Sequence, residues 1–220
     1  MEPPLPAQSD AVVGPAFFDW RAVFPFLAST LSCVPALRAE LRARGPSSTW
    51  TAWPETSLYL PEEGQDWDVI PFCYTFPSND VSKRTWVDSS CVALPEMASA
   101  LQRIPGLRTA LLSRLGAGTN LVPHQGWAEI SNHVLRCHVP LDLPAAGCSG
   151  VTADGETRLH ADGDILVFDD SHVHSAHNAH PDAPRTVLII DIIRPPGMAP
   201  GIAVFGATRE LEEFMQYFRS

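Results

Sequence analysis

Beyond residue 107 the chain is written in short apolar runs cut by turn residues. Residues 107–115, 134–141, 150–153, 156–160, 164–168, 173–177 and 185–193 each read as a strand. Gly116-Ala117-Gly118, Asp154-Gly155, Asp162-Gly163-Asp164 and residues 181–184 carry turn chemistry between them. Strands this short and this closely spaced, with no helical run between, predict an antiparallel sandwich or barrel rather than a βαβ fold. Upstream, residues 17–44 place apolar positions at helical spacing, and Pro25 and Pro35 are expected to break that stretch into two or more pieces. Residues 67–76 (WDVIPFCYTF) read as a further strand, 95–103 as a short helix, and 1–16 as a loose arm rich in proline and small residues. Residues 207–218 form an amphipathic helix with Leu211, Phe214, Met215 and Phe218 on one face, which should pack on the chain's own core.

Composition narrows what such a fold could serve. With 220 residues, 45% of them hydrophobic, the chain can bury one sizeable core, and a formal net charge of −10 argues against affinity for nucleic acid or anionic membranes. A small molecule or a protein partner fits better. The five cysteines are odd in number, widely spaced and without a C-x-x-C pair, so neither a disulfide framework nor a thiolate zinc site is expected. The N-terminus has no basic region, and no apolar run reaches the length of a membrane span, so a cytoplasmic location is expected.

All eight histidines lie between His124 and His180, and imidazole is the commonest metal ligand. His124 follows a Gly-rich turn in NLVPHQGW, and His174 follows an acidic turn in GDILVFDDSHVHSAHN. Fifty positions apart, they can meet only through tertiary structure, for which adjacent strands of a small barrel offer the geometry.

The runs LLSRLGAGTNLVPHQGW, HVLRCHVPL, DGDILVFDDSHVHSAHN and RTVLIIDIIRPP, in that order over about residues 108–196, resemble the catalytic core of the aspartyl/asparaginyl β-hydroxylase family. With the strand pattern, the resemblance implies a mainly β fold, a double-stranded β-helix (jelly roll, cupin-like) with flanking helices. It would form a single domain over 17–220 with its catalytic core at about 107–196. It further implies an Fe(II)- and 2-oxoglutarate-dependent dioxygenase that uses O2 to hydroxylate an amino acid, an amino-acyl or peptidyl group or a related small molecule, releasing succinate and CO2. Acyl-chain hydroxylation, known for similar enzymes of lipid A, is set aside for want of a hydrophobic anchor.

Carried over residue by residue, the resemblance makes His124 and His174 the iron ligands. Arg136 and His138 would face the 2-oxoglutarate carboxylate nearest the metal, and Arg185 with Ser113 would hold the distal one. A guanidinium on a buried strand needs an anion, which suits Arg185; a salt bridge to Asp191 is the structural alternative. Related iron sites commonly place a carboxylate two residues after the first histidine, where this chain has Gly126. The family shares that absence and leaves the position to water. Glu129 as a third ligand and His172 in place of His174 remain alternatives, the latter because residues two apart on a strand share a face. If His174 is the ligand, His172 becomes a candidate for the substrate mouth, while Asp169 and Asp170 would shape the turn and orient a ligand histidine. Residues 127–133 form an insertion beside the site. A non-catalytic cupin-like module binding a metal or small acid is the competing function; it would have no need of a dicarboxylate clamp.

Overall fold

The computed structural model describes residues 14–44, 50–61 and 64–218, so the expected arm lies, but for residues 14–16, outside the described residues. In chain order the elements are β1 (Phe17–Phe18), α1 (Trp20–Val23), α2 (Ala28–Arg44), β2 (Thr51–Ala52), β3 (Trp67–Thr75), β4 (Arg84–Trp86), α3 (Asp88–Ala93) and α4 (Pro95–Gln102). They continue with β5 (Leu107–Leu115), α5 (Ala128–Ser131), β6 (Val134–Asp142), β7 (Ser149–Ala153), β8 (Glu156–Leu159), β9 (Leu166–Phe168), β10 (His174–Asn178), β11 (Arg185–Ile193) and α6 (Arg209–Tyr217).

The near-continuous apolar sequence of β11 follows from its central place. It pairs antiparallel with β5 on one side and β6 on the other, inside a sheet ordered β1-β9-β6-β11-β5-β3-β2. Leu188, Ile190 and Ile192 face an outer layer that includes Leu37 of α2 and Met97 and Leu101 of α4, while Val187 and Ile189 face the opposite core with Val151 and Ala176 of the second sheet. That second sheet runs β10-β7-β8, and residues 119–124 extend it through bridges Asn120↔His177 and His124↔His174. Apart from the β7–β8 hairpin, which stays within the second sheet, the chain therefore alternates between the two sheets from β5 to β11, which is the winding of a double-stranded β-helix. The Asp154-Gly155 hairpin joins β7 to β8 with φ of 49° and 79°, positive at both central residues as a tight type I′ turn requires.

Two expectations are corrected. Pro35 does not break the N-terminal helix: α2 runs unbroken from Ala28 to Arg44 with Pro35 inside it. Pro35 is exposed while Val34 and Leu37 are buried, so the carbonyl deprived of its partner lies on the side that water can reach. Phe17 and Phe18, expected to be helical, instead pair with β9, where Phe17 lies near Phe168 at 6.2 Å between ring centroids. The C-terminal helix packs as expected, with Leu211 and Met215 buried and Tyr74 donating to the Met215 carbonyl at 2.9 Å.

Candidate active site

His124 and His174 meet across a backbone bridge. The amide of each donates to the carbonyl of the other, at 2.9 and 2.8 Å, and the ring centroids are 4.4 Å apart. His124 Nδ1 lies 2.7 Å from the Val122 carbonyl and His174 Nδ1 2.9 Å from the His172 carbonyl. A carbonyl only accepts, so each Nδ1 carries a proton, which in a neutral imidazole leaves the lone pair on Nε2. His174 Nε2 sits 3.3 Å from Asp170 Oδ1. Two electron-pair donors at that distance call for a cation. A proton does not fill the role at neutral pH, because burial, with His124 nearby, lowers the His174 pKa to about 4 despite Asp170. The donor set fits a divalent metal.

Asp170 is held from three directions. Arg136 Nη1 donates to Oδ1 at 2.5 Å, Ser131 Oγ to Oδ2 at 2.6 Å, and the Asp170 carbonyl accepts from the Gly126 amide at 2.9 Å. Burial would raise its pKa, but Arg136, His174 and Ser131 bring it below the ordinary carboxylate value. Arg136 also forks onto Asp191, Nε to Oδ1 at 2.8 Å and Nη2 to Oδ2 at 2.9 Å. Each of its three nitrogens is thus engaged, and its position speaks for holding Asp170 as much as for meeting a ligand. Gly126 has a steric reason: a Cβ there would come within 1.9 Å of both Asp170 Oδ2 and Ser131 Oγ. Asp170 fills the space into which a side chain at 126 would project.

Arg185 is 1% exposed, and among the described residues no acid forms an ion pair with it. Its Nη1 contacts the Ser113 carbonyl at 3.2 Å and Ser113 Oγ at 3.3 Å, and its Nε is buried without a partner. Burial alone lowers its pKa to about 9. Asp191, the structural alternative, belongs to Arg136 instead. Ser113 Oγ also accepts from Trp67 Nε1 at 3.0 Å, which leaves its own proton free to donate. The unmatched guanidinium and this hydroxyl fit a carboxylate.

His138 faces the same interior. Its Nδ1 is 3.1 Å from His160 Nε2, whose Nδ1 is 3.1 Å from Ser149 Oγ. Burial first, then the neighbouring cations Arg185 and Arg136 and the histidines, drives the His138 pKa well below the usual value, and burial and Arg185 do the same to His160. If Ser149 donates to His160, His138 retains an Nε2 proton to offer an anion; the opposite direction leaves a lone pair there.

The alternatives fare differently. His172 is 1% exposed, with Nδ1 2.5 Å from Asp154, so it lines no mouth. It precedes β10 and lies in the turn, where strand alternation does not apply. Asp169 is bound by Arg194 at 2.6 and 2.8 Å and shapes the turn through Ser171. Residues 127–133 hold α5, which delivers Ser131 to Asp170, and its C-capping Asn132 clamps Ala203. Sequence reasoning missed Ser131, Ser149, His160 and Trp67, which lie outside the matched motif positions and act only through tertiary contacts. Among the described residues no cluster of three His, Cys, Asp or Glu side chains forms a metal site, and no helix is long and apolar enough to cross a membrane. A cavity of about 320 Å³ opens onto His124 and Arg136, floored by Trp67, Leu111 and Ile189 and flanked by Trp53, Glu55, Trp127 and Phe205.

The winding of the two sheets, with the paired histidines in the second, defines a double-stranded β-helix protein. The profile of the aspartyl/asparaginyl β-hydroxylase family matches residues 33–195, and the chain belongs to that family. The ornithine lipid ester-linked acyl 2-hydroxylase of Rhizobium tropici is 30% identical over 82% of this chain and 61% of its own length. Human aspartyl/asparaginyl β-hydroxylase is 29% identical over 63% of this chain and 18% of its own. The chain thus spans less than two thirds of either curated relative. A solved oxidoreductase of the 2OG-Fe(II) oxygenase family from Burkholderia pseudomallei is similar over 78% of this chain and 82% of its own, with 16% identity and a TM-score of 0.48.

Proposed function

We propose that the chain is an Fe(II)- and 2-oxoglutarate-dependent hydroxylase acting on an amino acid, an amino-acyl group or a related small molecule. The observation that carries this reading is Arg185, a buried guanidinium with no acid of its own among the described residues and an unpartnered Nε, next to a serine hydroxyl free to donate. A simple metal-binding barrel has no use for such a charge, whereas a dicarboxylate cosubstrate needs it.

In this reading His124 and His174 hold iron through Nε2, Arg185 and Ser113 hold the distal carboxylate, and His138 offers Nε2–H to the proximal one. The His172 carbonyl keeps the His174 ring in place through Nδ1, Arg136 and Ser131 hold Asp170 beside it, and the walls of the cavity keep water from the reacting C–H bond. Iron and 2-oxoglutarate, when bound, supply the oxidising chemistry, in which O2 is consumed, C–H becomes C–OH, and succinate and CO2 leave. The test is anaerobic reconstitution with Fe(II), then O2, with succinate measured across a panel of amino acids and peptides. Parent protein should turn over 2-oxoglutarate, and His124→Ala and His174→Ala should each lose that turnover while keeping a native circular dichroism spectrum. A folded variant retaining most of the activity with iron in modest excess would remove that histidine from the ligand set.

A further inference from the structure

The cavity contains a carboxylate that the proposed reaction leaves unused. Glu55 lines it and is only 8% exposed. Its Oε1 accepts from Trp127 Nε1 at 3.2 Å and Thr208 Oγ1 at 2.7 Å, and its Oε2 from Trp53 Nε1 at 3.3 Å. All three donors are neutral, and none of the ion pairs among the described residues includes Glu55. The other buried acids are met differently. Asp169 has Arg194, Asp170 and Asp191 share Arg136, and Glu40 accepts the Glu96 and Met97 amides at the start of α4, both at 2.8 Å. A buried carboxylate is costly unless a cation or a full set of hydrogen bonds meets it. A carboxylate offers about four lone-pair positions, and Glu55 has one left, on Oε2.

Its surroundings favour positive charge. Trp53 stacks on Trp67 at 4.6 Å and on Trp127 at 5.9 Å between ring centroids, and Trp53 and Trp127 turn their indole N–H edges to the carboxylate without neutralising its charge. Among the described residues Arg136 is the one Lys or Arg in the cavity lining, and two aspartates already share it. A second acid, Glu129, lies behind the wall segment at Gly206: its Oε1 would be 3.1 Å from a Cβ there, and its Oε2 is buried without a partner.

We propose that this cavity seats its substrate by a cationic amino group, with an ammonium against Glu55 Oε2 and the indoles of Trp53 and Trp127. The substrate class is then an amine-bearing small molecule or amino-acyl group, selected over neutral and acidic molecules of the same size. This rests on reading the cavity as the substrate chamber of the hydroxylase. Glu55 also ties Thr208, the residue capping α6, to two neighbouring loops, so the test separates charge recognition from that bracing role.

The full chain, free of metal and 2-oxoglutarate, is labelled with ¹⁵N and titrated with n-butylammonium chloride, n-butanol or sodium butyrate while the indole N–H signals of Trp53 and Trp127 are followed. Butylammonium should shift both signals saturably and bind at least about tenfold more tightly than butanol or butyrate. Folded Glu55→Gln, which keeps a side-chain acceptor but loses the charge, should bind butylammonium at least about tenfold more weakly. Equal binding of butanol, preference for butyrate, no saturable shift, or undiminished affinity in Glu55→Gln would each overturn the proposal. Should Glu55→Gln fail to fold, the three probes on the parent decide by themselves. With no iron or cosubstrate present, failure of the hydroxylase reading would leave the result intact.

Discussion

Replacing Arg185 by Met should change stability and cosubstrate binding in opposite directions. The guanidinium is buried and meets no acid among the described residues, and burial lowers its pKa to about 9, well below the ordinary guanidinium value; the difference corresponds to about 5 kcal/mol against the charged form. Part of that is offset by the two contacts to Ser113, which the variant loses. Met fills much of the vacated volume without a charge, so ligand-free Arg185→Met should unfold at the same temperature as the parent or higher. With saturating 2-oxoglutarate the order reverses. A ligand at about one hundred times its Kd adds about 2.7 kcal/mol, and a domain of this size gains about 2–4 °C per kcal/mol, so the parent should rise by about 5–10 °C and the variant should not. Thermal unfolding of both proteins, with and without 2-oxoglutarate and with Mn(II) as a redox-inert substitute for iron, measures this directly. If Arg185→Met were markedly less stable than the parent without ligand, yet stabilised by 2-oxoglutarate to the same degree, the guanidinium would be a structural element and not a carboxylate anchor.

Two further outcomes follow from the packing and titration of the site. Gly126→Ala and Gly126→Asp should both destabilise the protein by about 3 kcal/mol or more, since the first added carbon already collides with Asp170 and Ser131; chemical denaturation at parent-like stability for Gly126→Ala would contradict this. In the metal-free protein, the folded-state pKa of His174, about 4, lies below the unfolded value of 6.5. The stability it contributes is therefore complete above pH 6.5 and is lost as pH falls through about 4, by about 3 kcal/mol. His138 and His160 are shifted the same way and add to the loss. Urea midpoints that stay level between pH 7 and pH 4 would show that these imidazoles are not buried in neutral form.

The strands of the β-helix were legible because each is a local pattern: apolar runs ended by Asp154-Gly155 or Asp162-Gly163, and the long runs at 107–115 and 185–193 that only a strand covered on both faces would carry. The unbroken helix through Pro35 was not legible, because its survival depends on which side of the helix faces water. Nor was the pairing of Phe17 and Phe18 with β9, since a two-residue strand has no periodicity to read. In the site, the motifs around His124, His174, Arg136, His138, Ser113 and Arg185 stand out along the chain, each next to a turn or on a strand of fixed alternation. The resemblance of those motifs to a known family supplied their assigned roles.

Tertiary structure alone decided how these side chains are matched. The sequence places Asp191 six residues from Arg185 in the same strand, but strand alternation turns both to the same face some distance apart, and it is the neighbouring β6 that brings Arg136 across to Asp191. That cross-strand pairing leaves Arg185 without an acid. Likewise no local pattern joins Glu55 to Trp127 and Thr208, or His160 to His138; each contact links segments between 22 and 153 residues apart. Short-range pattern determines which residues lie on strands and which face they share. Charge balance inside the fold is a long-range property, because it depends on which strands become neighbours.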